Sequence, residues 1–153
     1  MSKRTEITDA MKEAMKAKET MALSTIRLIN AAIKDRDIAA RTAGNPDGIS
    51  DADILSMMQT MIKQRVESAD IYTKNARPEL AEQELAEIEV IKRFLPAQMS
   101  EDEVKAKINE IVEALGVSDM KDMGKVMAEL KAKYAGQMDM GKASGLIKAR
   151  LSA

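Results

Sequence analysis

The chain has 153 residues, of which 45% are hydrophobic and 32% charged, with a net charge of −1, no histidine and no cysteine. Those absences exclude Ser-His-Asp and Cys-His centres, imidazole proton transfer near neutral pH, thiolate nucleophiles, thiolate or imidazole zinc sites and disulfides. No apolar run approaches the ~20 residues of a membrane span, and the charged start Met1-Ser2-Lys3-Arg4 has no signal-peptide core, so the expectation is a cytoplasmic protein without membrane contact.

Helical periodicity dominates. Aromatic residues make up only 2% (Tyr72, Phe94 and Tyr134), and thirteen methionines stand in for them. Methionine favours helices and adapts to irregular gaps, whereas sheets favour aromatic and β-branched residues. A first helix, roughly Glu6 to Lys18, places Ile7, Ala10, Met11, Ala14 and Met15 at spacings of three and four. A second, roughly Glu19 to Ala43, does the same with Leu23, Ile26, Ile29 and Ile33, and its charged end Lys34-Asp35-Arg36-Asp37 is expected to project into water. Gly44-Asn45-Pro46-Asp47-Gly48 reads as the tip of a helical hairpin. Ser50 is a candidate cap for a third helix, with Asp51 and Asp53 in its positive first turn. That helix runs to about Asn75 and presents Ile54, Met58, Met61, Ile62, Val66, Ala69 and Tyr72 as one stripe.

Pro78 suits the first position of a fourth helix, whose buried side is expected to hold Leu85, Ile88, Ile91, Phe94 and Leu95. Glu89 and Arg93 are spaced for an i,i+4 pair, and Phe94 is a candidate for a seam between domains. Pro96-Ala97-Gln98-Met99 marks the boundary, and Ser100-Glu101-Asp102-Glu103 reads as a capping box. Three short helices follow. The first carries Val104, Ile108, Ile111, Val112 and Leu115 up to Gly116; the second runs from about Met120 to Tyr134, and the third from about Met140 to Leu151. The predicted class is all-α: an N-terminal helical hairpin or bundle domain, residues 1–96, followed by a small three-helix bundle, residues 97–153.

Candidate sites are few. The glutamates from Glu79 to Glu89 lack the histidines of bundled di-metal centres, so a solvated face is the preferred reading and no metal is expected. Ser144-Gly145 between Lys142 and Lys148 lacks the spacing and preceding strand of a phosphate loop. Met57, Met58 and Met61 suit a groove for a partner helix, but their spacing already explains them as core. Met138 and Met140 are expected to be exposed. From Lys121 onward, Lys121, Lys125, Lys131, Lys133, Lys142, Lys148 and Arg150 stand against only Asp122, Glu129 and Asp139. Cations sharing one face would hold a polyphosphate. With Tyr134 the only ring nearby, such binding would read folded backbone rather than stacked single strands.

The stretch from Arg77 through Arg93-Phe94-Leu95-Pro96 into Gln98-Met99-Ser100 resembles the hallmark segment of the YqeY family. Met123-Gly124-Lys125-Val126-Met127, followed by Gly136 and Asp139, is similar to that family's end, and the likeness spans essentially the whole chain. The resemblance implies an N-terminal helical domain and a three-helix domain similar to the tail of the B subunit of the tRNA-dependent amidotransferase, a tRNA-binding appendage. It implies no catalytic residue and no cofactor here; a carbon–nitrogen ligase activity with glutamine as amido donor would attach by family likeness only. Gly124 is expected to allow close helix packing and Lys125 to contact phosphate. Gly136-Gln137-Met138-Asp139 departs from the family's Gly-Arg-Ala-Asp-like turn by lacking its cation.

The leading expectation is therefore a non-catalytic accessory protein that binds tRNA, or a tRNA–protein complex, through Lys125, Lys131, Lys133, Lys142, Lys148 and Arg150. The alternative is an adaptor that engages a protein partner through the N-terminal hairpin.

Overall fold

The computed structural model describes residues 2–152. Its helices are α1 (Lys3–Lys16), α2 (Thr20–Thr42), α3 (Asp51–Lys74), α4 (Pro78–Lys92), α5 (Glu101–Leu115), α6 (Met123–Tyr134) and α7 (Met140–Ser152), with a 3-10 turn at Met120–Asp122 before α6. The described residues contain no strand, and the fold is all-α. The chain divides into two compact units, one ending at Leu95 and the other beginning at Pro96.

In the first unit α1 packs on α2, α2 on α4, and α3 on α4. The helix α1 starts three residues before the predicted Glu6, because the Ser2 hydroxyl accepts from the Thr5 amide at 3.2 Å and caps it. Ile7, Ile26, Ile29, Ile54, Met57, Met58 and Ile91 are essentially sealed in one core, so the methionine cluster is core rather than groove. Phe94 belongs to that same core. The tight turn that ends α4 (Phe94 N–H to the Ile91 carbonyl, 3.1 Å) folds it into the first unit. Arg93 likewise pairs with Glu19 at 3.9 Å, while Glu89 takes Lys92 at 3.6 Å instead of Arg93.

Four residues of the predicted apolar stripes stay in water: Met15 on α1, Leu115 on α5 and, on the α3–α4 hairpin, Val66 and Leu85, which are 51% and 52% exposed. The latter two lie outside the core cluster of the first unit. Ala69 and Ala81 fill the narrow seam there, and two helices bury no more than the strip between them. Arg65 closes the same stretch through Glu87 at 2.9 Å, with both side chains mostly buried.

Of the charged end of α2, Lys34, Asp35 and Arg36 are exposed as expected, and only Asp37 turns inward. Asp37 is buried and accepts from the Arg4 guanidinium and from the Ile49 amide at 2.8 Å. The other oxygen in reach, the Ile49 carbonyl, accepts from Arg4 Nη2 at 2.7 Å. Gly48 lies against this knot at φ +79°, and a Cβ there would fall 2.8 Å from the Asp37 carboxyl carbon. Only glycine fits both the conformation and the space. Ser50 and Asp53 then form a capping box that opens α3.

In the second unit α5, α6 and α7 all touch one another. Ser100 and Glu103 cap α5 reciprocally, and Gly116 ends it in the left-handed conformation at φ +65°. The core holds Val104, Ile108, Ile111, Val112, Val126, Leu130, Ala143, Ile147, Leu151 and also Met138. Met138 was expected at the surface. It is inward because the loop before it is stitched to the unit's start: Gln98 Nε2 donates to the Gly136 carbonyl at 2.7 Å, and the Met99 amide to the Gln137 carbonyl at 2.8 Å. Met140 is half-buried.

Candidate functional site

The six candidate cations sit on two helices with the same internal spacing. Lys125, Lys131 and Lys133 are on α6, and Lys142, Lys148 and Arg150 on α7; all six are exposed. At 100° per residue, the first and third of each set lie about 80° apart. The middle one turns away, because residues two apart do not share a helix face. The structure therefore does not gather all six.

Local partners divide them further. Lys125 pairs with Asp122 at 3.7 Å and Lys133 with Glu129 at 3.4 Å, and Lys131 is engaged as well. Arg150 Nε donates to Asn109 Oδ1 at 2.8 Å. Lys142 and Lys148 enter no ion pair among the described residues. What does come together is a shallow groove between α5 and α7, lined by Lys105, Ile108, Asn109, Leu146, Ala149 and Arg150. Lys142 precedes Leu146 by one turn and so continues its stripe. Lys105 and Asn109 were missed by the sequence reading, which used α5 only for its apolar side; their four-residue spacing was the available signal. Lys105 itself is held by Glu101 at 3.5 Å.

Tyr134 offers little to a base. Its ring is half-buried, with Lys107 Nζ 5.8 Å from its centroid. Gly124 does not serve close packing, since a Cβ there would meet nothing within 4 Å. Other residues of the quoted motifs have structural roles. Gln98 and Gly136 join the ends of the second unit, Ser100 caps α5, and Asp139 accepts from the Gly141 amide at 2.9 Å at the start of α7. The carboxylates of α4 are drawn toward cations: Glu79 to Arg77, Glu87 to Arg65 and Glu89 to Lys92. Among the described residues no three potential metal ligands cluster, and no helix is long and apolar enough to cross a membrane.

The described residues form an all-helical protein of two compact units. The family model described as Yqey-like protein matches residues 4–151. The chain belongs to the YqeY family. It is also similar to proteins named altered inheritance of mitochondria protein 41, mitochondrial. The identity is 31% for the one from Clavispora lusitaniae, 32% for Lachancea thermotolerans and 33% for Candida glabrata, each over 71% of this chain. These matches cover 62%, 57% and 59% of the relatives, so the chain spans about three-fifths of their length. Their names correct the cytoplasmic expectation, pointing to mitochondria instead. Composition misled here because a compartment is set by targeting signals, which the make-up of a folded helical domain does not encode.

Proposed function

We propose that the chain is a non-catalytic accessory protein, acting in the mitochondrial setting of its relatives, whose second unit contacts the backbone of folded RNA. The RNA is tRNA, the ligand of the amidotransferase tail that this unit resembles. The observation that carries the reading is on α7, where Lys142 and Lys148 are exposed with no acidic partner and Arg150 stands beside Lys105 at the α5–α7 groove. The pairs at Lys125 and Lys133 do not oppose it. Exposed ion pairs contribute about 0–1 kcal/mol, and phosphate competes with them readily.

Titrating the full chain with tRNA at two salt concentrations tests this. Affinity should fall as salt rises, because phosphate contacts release counterions, and should fall at least tenfold in a Lys142→Glu/Lys148→Glu variant. Undetectable binding at low salt, or wild-type affinity in that variant, overturns it.

The adaptor reading is favoured by a separate feature, the outward face of α2 in the first unit, whose cations lack acidic partners. A pull-down with and without ribonuclease separates the two, since only an adaptor keeps its partners once RNA is destroyed.

A further inference from the structure

The outward face of α2 repeats every seven residues. Ser24, Ala31 and Ile38 form one row and Arg27, Lys34 and Arg41 the next, and all six are exposed. The buried residues of the helix, Thr25, Ile26, Ile29 and Ile33, occupy the other side. A seven-residue repeat drifts only ~20° per two turns on a straight helix, so the two rows run side by side for about 25 Å. Leu28 and Ile38 are 45% and 52% exposed along them.

The charge of this face is unbalanced. Among the described residues no ion pair engages Arg27, Lys34 or Arg41, and Arg41 donates only to the Pro46 carbonyl, at 3.3 Å. Of the two acids on α2, Asp37 is turned inward and held by Arg4, which leaves Asp35 alone at the surface. Arg65, Lys74 and Lys92 of the same unit find acids on their own or adjoining helices, and of the cations that do not, Arg27, Lys34 and Arg41 are the three set at seven-residue spacing on one helix. A row of cations without ion pairs beside a row of small and apolar residues has one simple complement, a helix bearing the opposite charge at the same spacing. Ser24 and Ala31 are small enough to let such a helix approach closely, near the 8–10 Å typical of packed helices. A polyphosphate would use the cations and leave the apolar row idle. A membrane would need a broader apolar face than Leu28 and Ile38 supply.

We infer that the outward face of α2 is the docking site for one amphipathic helix of a protein partner, with acids every seven residues along an apolar stripe. The inference rests on the adaptor reading and specifies its surface. The test uses the full chain and a labelled 21-residue helical peptide carrying glutamates at seven-residue spacing beside a leucine stripe, followed by fluorescence anisotropy. The peptide should bind, and affinity should drop at least tenfold for Arg27→Glu/Lys34→Glu, which leaves Arg41 and the nearby Asp37 knot intact. Leu28→Ser/Ile38→Ser should weaken it similarly, with the far-UV circular dichroism of both variants unchanged.

No binding, or equal binding of a peptide with its leucines replaced by serine, overturns the proposal. So does wild-type affinity in the charge-reversed variant. If the same substitutions instead abolish binding of tRNA or of anionic phosphatidylglycerol vesicles, or dissolve a dimer of this chain, the face has a different occupant and the proposal fails. Ribonuclease-treated pull-downs with both proteins keep the outcomes apart. Partners retained equally by wild type and variant leave an adaptor that uses another surface; partners retained by neither remove the adaptor reading itself.

Discussion

Asp37 shows how one buried carboxylate organises a loop. Hydrogen bonding from Arg4 holds its carboxyl below the ordinary aspartate value of 3.8, with the Ile49 amide and the charges of Arg4 and Arg41 assisting and burial opposing. A carboxylate whose folded pKa is depressed stabilises the protein above its unfolded pKa and loses that contribution as pH falls through the folded value. Asp37→Asn should therefore destabilise near neutral pH by about 2 kcal/mol, a figure reduced for the partial exposure of Arg4. The difference from wild type should begin to shrink as pH falls below about 3.8 and be lost as pH passes the lower folded value, measured by urea unfolding across a pH series. A difference that persists unchanged at low pH would mean the charge is not the cause. Ala76 presents the reverse situation, a non-glycine residue at φ +56° just past the end of α3. Ala76→Gly relieves the left-handed penalty of roughly 1 kcal/mol against a smaller unfolded-state cost. A gain of about 0.5 kcal/mol is expected in the same assay.

At the scale of elements, capping and packing separate cleanly. Ser100 closes a reciprocal box at the start of α5, so Ser100→Ala should cost about 1 kcal/mol. The helix α2 begins at Thr20 with no side-chain cap from Glu19 before it and gains its place from burial instead, through Ile26, Ile29 and Ile33. The α3–α4 hairpin shows the same contrast along its length. Ile91 lies in the four-helix core and Leu85 outside it, exposed. Ile91→Ala should cost roughly 2–5 kcal/mol and Leu85→Ser within about 0.5 kcal/mol, by chemical denaturation. Comparable losses would show that the hairpin end is buried in solution by something the isolated chain lacks.

For the whole molecule, the two units divide the charge differently. In the second, Lys125 and Lys133 are matched by nearby acids, whereas Lys142, Lys148 and Arg150 on α7 enter no ion pair among the described residues. Each phosphate contact contributes about 0.9 to the slope of log affinity against log salt on duplex nucleic acid. Removing Lys142 and Lys148 together should lower that slope for tRNA by between one and two units. In the first unit Arg27, Lys34 and Arg41 enter no ion pair among the described residues and lie on one side of α2 beside Ala31 and Ile38, a pattern suited to a helix. A YqeY-family chain of this design has two distinct surfaces to test, and substitutions on one should leave binding at the other unchanged.

The sequence by itself determined the helices and most of their ends. Helical hydrogen bonds and the 3.6-residue period are local, and Ser50, Pro78, Ser100 and Gly116 act within a few residues of where they stand. The overlooked start at Ser2 was a cap of the same kind, so that signal was present and unread. Tertiary structure alone decided which charges were consumed and which apolar residues were covered. Asp37 is claimed by a residue 33 positions away, and Met138 is drawn in by a bond across 38. Phe94 joins the core ahead of it, and Val66 and Leu85 lie past the edge of that core. Each of these depends on segments distant in the chain meeting in space, and local periodicity carries no record of such meetings.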